Sequence, residues 1–239
     1  MLMSLLFAID TPAVPIVGRA EQFPVNRIYC VGRNYAAHAR EMGANPERES
    51  PFFFSKPANA IAPNGVEIPY PQRTHDLHHE VELVVALAGP ALAQQGENLT
   101  LAQAEAAVFG YAVGIDFTRR DLQAEAKDKA RPWDTAKGFD NSAPLSALTP
   151  AAQAGDPAAA HISLHVNGQL RQQGHVSDLI WNIPELIMEL STYYRLRPGD
   201  LIFTGTPAGV AAVVPGDVLE GRVDGLETLS IRIGAALRS

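Results

Sequence analysis

Cysteine is almost missing from this chain. Cys30 is the only one in 239 residues, which excludes an intrachain disulfide, and without CxxC or paired Cys/His spacing there is no zinc-ligand pattern. Set inside Ile28-Tyr29-Cys30-Val31, the thiol reads as a small buried hydrophobe rather than a nucleophile. Long apolar runs are missing too. Residues 1 to 9 are mostly apolar, but no Lys or Arg precedes them and Asp10 cuts them short. Neither a signal peptide nor a membrane span is expected, and a cytoplasmic setting follows. A basic footprint is also lacking. With 19 Lys and Arg against 26 Asp and Glu, the net charge of −7 argues against nucleic acid or an anionic membrane as a partner. No GxGxxG or GxxxxGK[ST] occurs, so a nucleotide-phosphate loop is not expected. Small-molecule chemistry is what remains.

The chain is long enough to bury a full core, and it shows no internal repeat or long linker. Residues 1 to 24, with several Pro and Gly and little periodicity, read as a short N-terminal segment laid on a catalytic domain of 25 to 239. Strand-like runs recur at 27 to 31, 66 to 69, 80 to 88, 110 to 116, 162 to 167, 200 to 204 and 227 to 233. Val166-Asn167-Gly168-Gln169 is a hairpin signal. Thr100 with Gln103 makes a capping box before a helix at 101 to 109, with Gly110 as its expected terminator. Asn182, Pro184 and Glu185 start a helix to about Thr192, and Asn34 is expected to cap one to about Met42. The Ala/Pro/Gly-rich stretch 147 to 160 reads as a surface loop. The class is α+β with a mainly antiparallel or mixed sheet.

Two glutamates open the run at 80 to 88. Side chains alternate along a strand, so Glu80 and Glu82 share a face that continues as Val84, Ala86 and Ala88 toward the interior. An E-x-E alone is more often the solvated face of an edge strand; the apolar continuation shifts that reading. Two like charges at the mouth of a core need a counter-charge, because burying an unpaired carboxylate is very costly. Asp116 ends the run Gly110-Tyr111-Ala112-Val113-Gly114-Ile115 on its small-residue side, where Ala112 and Gly114 are expected to leave room for a ligand. A lone Asp there is usually a turn former. Joined to Glu80 and Glu82, it completes three oxygen ligands suited to Mg²⁺ or Mn²⁺ with positions left for water and substrate.

On a helix after Asn34, His38 and Glu41 are neighbours at i and i+3, the arrangement of a carboxylate-held general base. The same spacing also fits a weak ion pair on a solvated face. Arg120 and Gln123 follow Asp116 closely, Lys137 lies between aromatic and Gly residues, and Thr204-Gly205-Thr206-Pro207 ends another strand-like run.

Together these segments resemble the fumarylacetoacetate hydrolase family, in its acylpyruvate and fumarylpyruvate hydrolase branch. The matching stretches are Tyr29 to Tyr35, His38-x-x-Glu41, Pro51-Phe52-Phe53-Phe54-x-Lys56-Pro57, His79-Glu80-x-Glu82-Leu83, Gly110 to Asp121, Pro132-Trp133-x-x-Ala136-Lys137-x-Phe139-Asp140 and Thr204-Gly205-Thr206-Pro207. The resemblance implies a β-rich mixed-sheet roll of that family's C-terminal domain type, with short flanking helices, working as a homodimer. It implies Glu80, Glu82 and Asp116 as metal ligands and His38 with Glu41 as the water-activating pair. Lys137, Arg120, Gln123 and Thr206 would meet the pyruvate-like end of a diketo-acid substrate. Arg33, a further expected substrate-binding residue, and Arg40, Arg48 and Arg131 are all candidates for a second, distal carboxylate. The expected reaction is hydrolysis of an acylpyruvate, with fumarylpyruvate as the chosen substrate of aromatic catabolism. An oxaloacetate decarboxylase or keto-enol tautomerase sharing the same pyruvate enolate is the alternative. A lid at 42 to 50 is expected to carry His38 and Glu41 into place.

Overall fold

The strand Val81–Leu87 is buried along its whole length, and its alternation divides the interior in two. Leu83, Val85 and Leu87 join one core, whereas Val84 and Ala86 join a second on the opposite face. The computed structural model describes residues 6–41 and 49–236. Its largest sheet has six strands in the order Thr149–Pro150, Val108–Ile115, Val81–Leu87, Asp200–Phe203, Arg27–Gly32 and Phe52–Lys56. Within it only Asp200–Phe203 and Arg27–Gly32 run parallel. A five-stranded sheet runs Gln169–His175, His161–Val166, Val218–Val223, Leu229–Gly234 and Glu67–Pro69.

The first core lies between these two sheets, where Leu83, Val85 and Val113 meet Ile162, Leu164, Leu219 and Ile231. The second lies under the N-terminal hairpin Ala13–Pro15/Gln22–Pro24, which contributes Val14, Ile16 and Phe23 against Ile28, Cys30, Val84 and Phe203. The fold is thus a β-rich roll of mixed sheets with short helices, as expected. Cys30 is fully buried. Among the described residues, no helix is long and apolar enough to cross a membrane.

Two capping boxes form as the spacing implied. Thr100 and Gln103 open Leu101–Ala106, and Asn182 and Glu185 open Ile183–Tyr193. Gln169–His175 pairs back on His161–Val166 around Asn167 and Gly168, both left-handed.

Four local expectations fail for reasons of packing. Gly110 does not end a helix; it lies inside Val108–Ile115, where a Cβ would run into the Thr149 carbonyl. That close approach lets Thr149–Pro150 pair with Gly110 and Tyr111, so part of the 147 to 160 stretch is a buried edge strand and not a surface loop. Gly114 leaves no ligand space either, because a Cβ there would lie 2.7 Å from the Phe203 ring, which fills the gap. Asn34 does not cap Ala36–Glu41. Its amide nitrogen donates to the carbonyls of Trp181 and Thr204, and its amide oxygen accepts from the Trp181 N–H.

Candidate active site

The antiparallel register of Val81–Leu87 and Val108–Ile115 builds the centre. Val81 faces Ile115 and Glu82 faces Gly114, and the Asp116 N–H donates to the Glu80 carbonyl at 2.8 Å. Glu80 and Asp116 therefore stand across from each other where the two strands end, with Glu82 on the same face. One ligand oxygen from each of the three lies within 4.8 Å of the others, and all three side chains are buried.

Cations surround two of these carboxylates. Lys137 donates to Glu80 Oε2 at 2.8 Å and to Asp116 Oδ2 at 2.6 Å. Arg120 donates to Glu80 Oε1 at 2.5 Å, and the Thr118 hydroxyl donates to the same oxygen at 3.2 Å. Burial by itself would raise the Glu80 pKa, but Lys137 and Arg120 outweigh it and hold this carboxyl well below its usual range. Asp116 and Glu80 in turn raise the Lys137 pKa and keep it charged against its own burial.

Among the described residues, no cation is paired with Glu82. Its Oε2 accepts one bond, from the Gly205 N–H at 2.7 Å, and burial followed by the charges of Asp116 and Glu80 pushes its pKa up. Gly205 is left-handed and tight against Asn34, so the Thr204–Thr206 turn can present that N–H only with glycine here. Asp116 Oδ1 lies 2.8 Å from Lys56 Nζ, yet no donor is aligned on it as a hydrogen bond. An all-oxygen set with one under-compensated carboxylate and one oxygen open to a further partner fits a hard divalent cation.

The cleft over this centre is lined by Arg33, His38, Arg120, Gln123, Lys137 and Thr206, with Lys127, Phe54 and Trp133 along its rim. His38 is buried on the helix Ala36–Glu41. The Glu41 side chain lies outside the described residues, as do 42 to 48, on which most of the expected lid falls. Gln123 accepts from Arg120 at 2.6 Å. Arg131 borders a neighbouring cavity instead of this cleft.

Gln172 and Lys56 are site-building residues that the sequence reading passed over. The buried Gln172 amide oxygen meets His79 Nδ1 at 2.9 Å and accepts from the Val81 N–H at 3.0 Å, while its nitrogen donates to the Thr206 hydroxyl and the Pro207 carbonyl, each at 2.8 Å. Having accepted that bond, the Thr206 hydroxyl has its own proton to give to the cleft. Lys56 donates to the backbone carbonyls of Phe117 and Lys137 and fastens that loop beneath Asp116. Lys56 ends the Phe52-Phe53-Phe54 motif, a position that signalled it. Gln172 sits on an otherwise polar strand, and nothing in its own neighbourhood pointed inward.

This arrangement has close relatives. A fumarylpyruvate hydrolase of a Ralstonia species is 45% identical over 188 residues, covering 79% of this chain and 95% of that one. An oxaloacetate tautomerase of Escherichia coli (strain K12) is 42% identical over 217 residues, covering 90% and 96%. The crystal structure of a fumarylpyruvate hydrolase from Pseudomonas aeruginosa in complex with Mn²⁺ and pyruvate superposes with a TM-score of 0.92 at 50% identity, covering 97% of this chain and all of that one. The model of the fumarylacetoacetate hydrolase C-terminal family matches residues 27–234, and the chain belongs to that family.

Proposed function

We propose that this protein is a divalent-metal-dependent hydrolase that cleaves the C3–C4 bond of acylpyruvates, with fumarylpyruvate giving fumarate and pyruvate. The observation that carries the reading is the convergence of Glu80, Glu82 and Asp116 beneath a cleft that also holds His38 and Lys137. These three carboxylates would hold Mg²⁺, or Mn²⁺ as in the Pseudomonas relative; when bound, such an ion supplies Lewis-acid polarisation of a carbonyl oxygen.

The chain's own groups do the rest. Arg120, Gln123 and the Thr206 hydroxyl bind the pyruvate-like carboxylate, which orients the C4 carbonyl toward His38. His38, positioned by Glu41, takes a proton from water as the water oxygen adds to C4. The C3–C4 bond then breaks, its electrons passing to C3 and the 2-keto oxygen as the pyruvate enolate. Lys137 has three N–H groups and spends two on Glu80 and Asp116, so the third can meet the developing oxyanion. His38 returns the proton to C3.

The reading extends to a homodimer in the cytoplasm, serving aromatic catabolism with Mg²⁺ as the ion. The exposed aromatic side chains Phe52, Tyr193 and Tyr194 support a covered surface, and light scattering tests it. The tautomerase relatives favour a second reading, enol–keto exchange or decarboxylation of oxaloacetate through the same enolate. A diketo-acid panel with Mg²⁺ separates the two. Equal fumarate and pyruvate from fumarylpyruvate supports hydrolysis, whereas turnover of oxaloacetate alone supports the second. His38→Ala should lower hydrolysis by about 10²–10⁴-fold; a full rate would remove His38 from the base role.

A further inference from the structure

Four cations line the cleft: Arg33, Arg120, Lys127 and Lys137. Two of them are committed, Arg120 to Glu80 and Lys137 to Glu80 and Asp116. Arg33 and Lys127 have no carboxylate against them among the described residues. Lys127 instead stands over the Trp133 ring, 5.1 Å from its centroid. Positive charge unmatched by the protein at one end of a binding cleft is complementary to an anion the ligand brings.

Arg33 is held in place at a cost. Its backbone is left-handed, with φ of 60°, a region that a long side chain seldom adopts without a reason in the surrounding structure. The preceding Gly32 has no room for a Cβ against the Phe52 ring, so the chain is pressed on the aromatic strand as it turns toward the cleft. Lys127 projects from the helix Arg120–Asp128, the same helix that presents Arg120 and Gln123 to the pyruvate-like end. Burial, and then the charges of Arg120 and Arg33, lower its pKa although the residue reaches solvent. Arg33 is therefore near enough to Lys127 for the two to repel in the absence of an anion.

We infer that Arg33 and Lys127 form a subsite for a second carboxylate at the distal end of the acyl group, with Trp133 and Phe54 walling the flat carbon chain between the two ends. The inference rests on the hydrolase reading and deepens it, because it selects dicarboxylic diketo acids over neutral acylpyruvates. Lys127, Phe54 and Trp133 separate the cleft from a neighbouring cavity of about 510 Å³, so the distal end of a ligand held in the cleft stops at Lys127. The cavity on the other side of Arg33 contains Glu49, whose charge disfavours that route for an anion. Of the other arginines considered from sequence, Arg131 borders only the neighbouring cavity, Arg40 does not line the cleft, and Arg48 lies outside the described residues.

The experiment compares kcat/KM for fumarylpyruvate and acetylpyruvate in the Mg²⁺-loaded wild type, Lys127→Met, Arg33→Met and Arg131→Met. Charge-assisted contacts of this kind imply that the fumarylpyruvate/acetylpyruvate ratio falls about tenfold or more in Lys127→Met and in Arg33→Met. Arg131→Met should keep the wild-type ratio. A parallel inhibition series should show weaker binding of fumarate, the distal product, with the Ki of oxalate, which occupies the pyruvate-like end, moving far less. If the wild type hydrolyses both substrates and neither Lys127→Met nor Arg33→Met moves the ratio, the subsite is wrong while the hydrolase reading survives. A wild type that hydrolyses neither substrate would overturn both.

Discussion

Lys56 Nζ stands 2.8 Å from Asp116 Oδ1, both side chains essentially without solvent access. A residue from the edge strand Phe52–Lys56 thus supports a carboxylate that closes Val108–Ile115, and it also binds the Lys137 carbonyl from below. Removing Lys56 takes one of two cations from the buried Asp116 and the donor from two buried carbonyls. Lys56→Met should therefore cost about 3–5 kcal/mol of unfolding free energy in metal-free protein. Urea unfolding measures it, and a loss under about 0.5 kcal/mol, the range of ordinary surface changes, would deny Lys56 this supporting role.

Glu82 is the carboxylate of the triad that no cation pairs with directly among the described residues. Glu82→Gln should weaken Mn²⁺ binding by about 10–100-fold or more, because it removes an anionic ligand. The same substitution relieves repulsion by Asp116 and Glu80, so the metal-free variant should melt no lower than the metal-free wild type. Chelation should abolish hydrolysis and lower the wild-type Tm, since the ion binds only the folded chain. Calorimetry with and without Mn²⁺ checks binding and melting, and an activity assay checks the loss of hydrolysis; equal Tm responses in the two proteins would exclude Glu82 as a ligand.

Gln172 does not itself line the cleft yet determines how Thr206 meets it. In Gln172→Leu, His79, the Val81 N–H and the Pro207 carbonyl lose a partner, with an expected cost of about 1–3 kcal/mol. The Thr206 hydroxyl becomes free to turn away from substrate, so KM for the diketo acid should rise more than kcat falls. Steady-state kinetics on folded variant separates this from simple loss of structure. An unchanged KM would leave Gln172 with a purely structural role.

Asp121, in the first turn of the helix Arg120–Asp128, is one contributor to the acid limb of stability. Burial opposes ionisation, but the Thr74 hydroxyl and the His75 and Leu122 N–H groups together outweigh it and lower the Asp121 pKa. A lowered folded pKa means the contribution is present above the unfolded value of 3.8 and is lost as pH falls through the folded value. Asp121→Asn should therefore be less stable than wild type near pH 6 by roughly 1 kcal/mol. The gap should close as pH drops below 3.8. Parallel urea unfolding across that range would refute the assignment if the gap stayed constant.

Much of this architecture was legible in the residues because periodicity is a local property. Alternation placed Glu80, Glu82, Val84 and Ala86 on one buried face, and the capping pairs Thr100/Gln103 and Asn182/Glu185 opened helices where their spacing indicated. Gly110, Gly114 and Asn34 misled for a shared reason. Each owes its identity to a distant segment, respectively Thr149, Phe203 and Trp181 with Thr204, and no local pattern encodes such a neighbour.

By itself the sequence determined which atoms are available: oxygen ligands without thiols, an imidazole on a short helix, and apolar strands able to carry both inward. Only the tertiary structure decided which of them share charge. It set Lys137 between Glu80 and Asp116 and, among the described residues, paired no cation with Glu82 and no anion with Arg33 or Lys127. Interaction energies depend on distance and on exclusion of water, and strand pairing across the fold, not order along the chain, sets both.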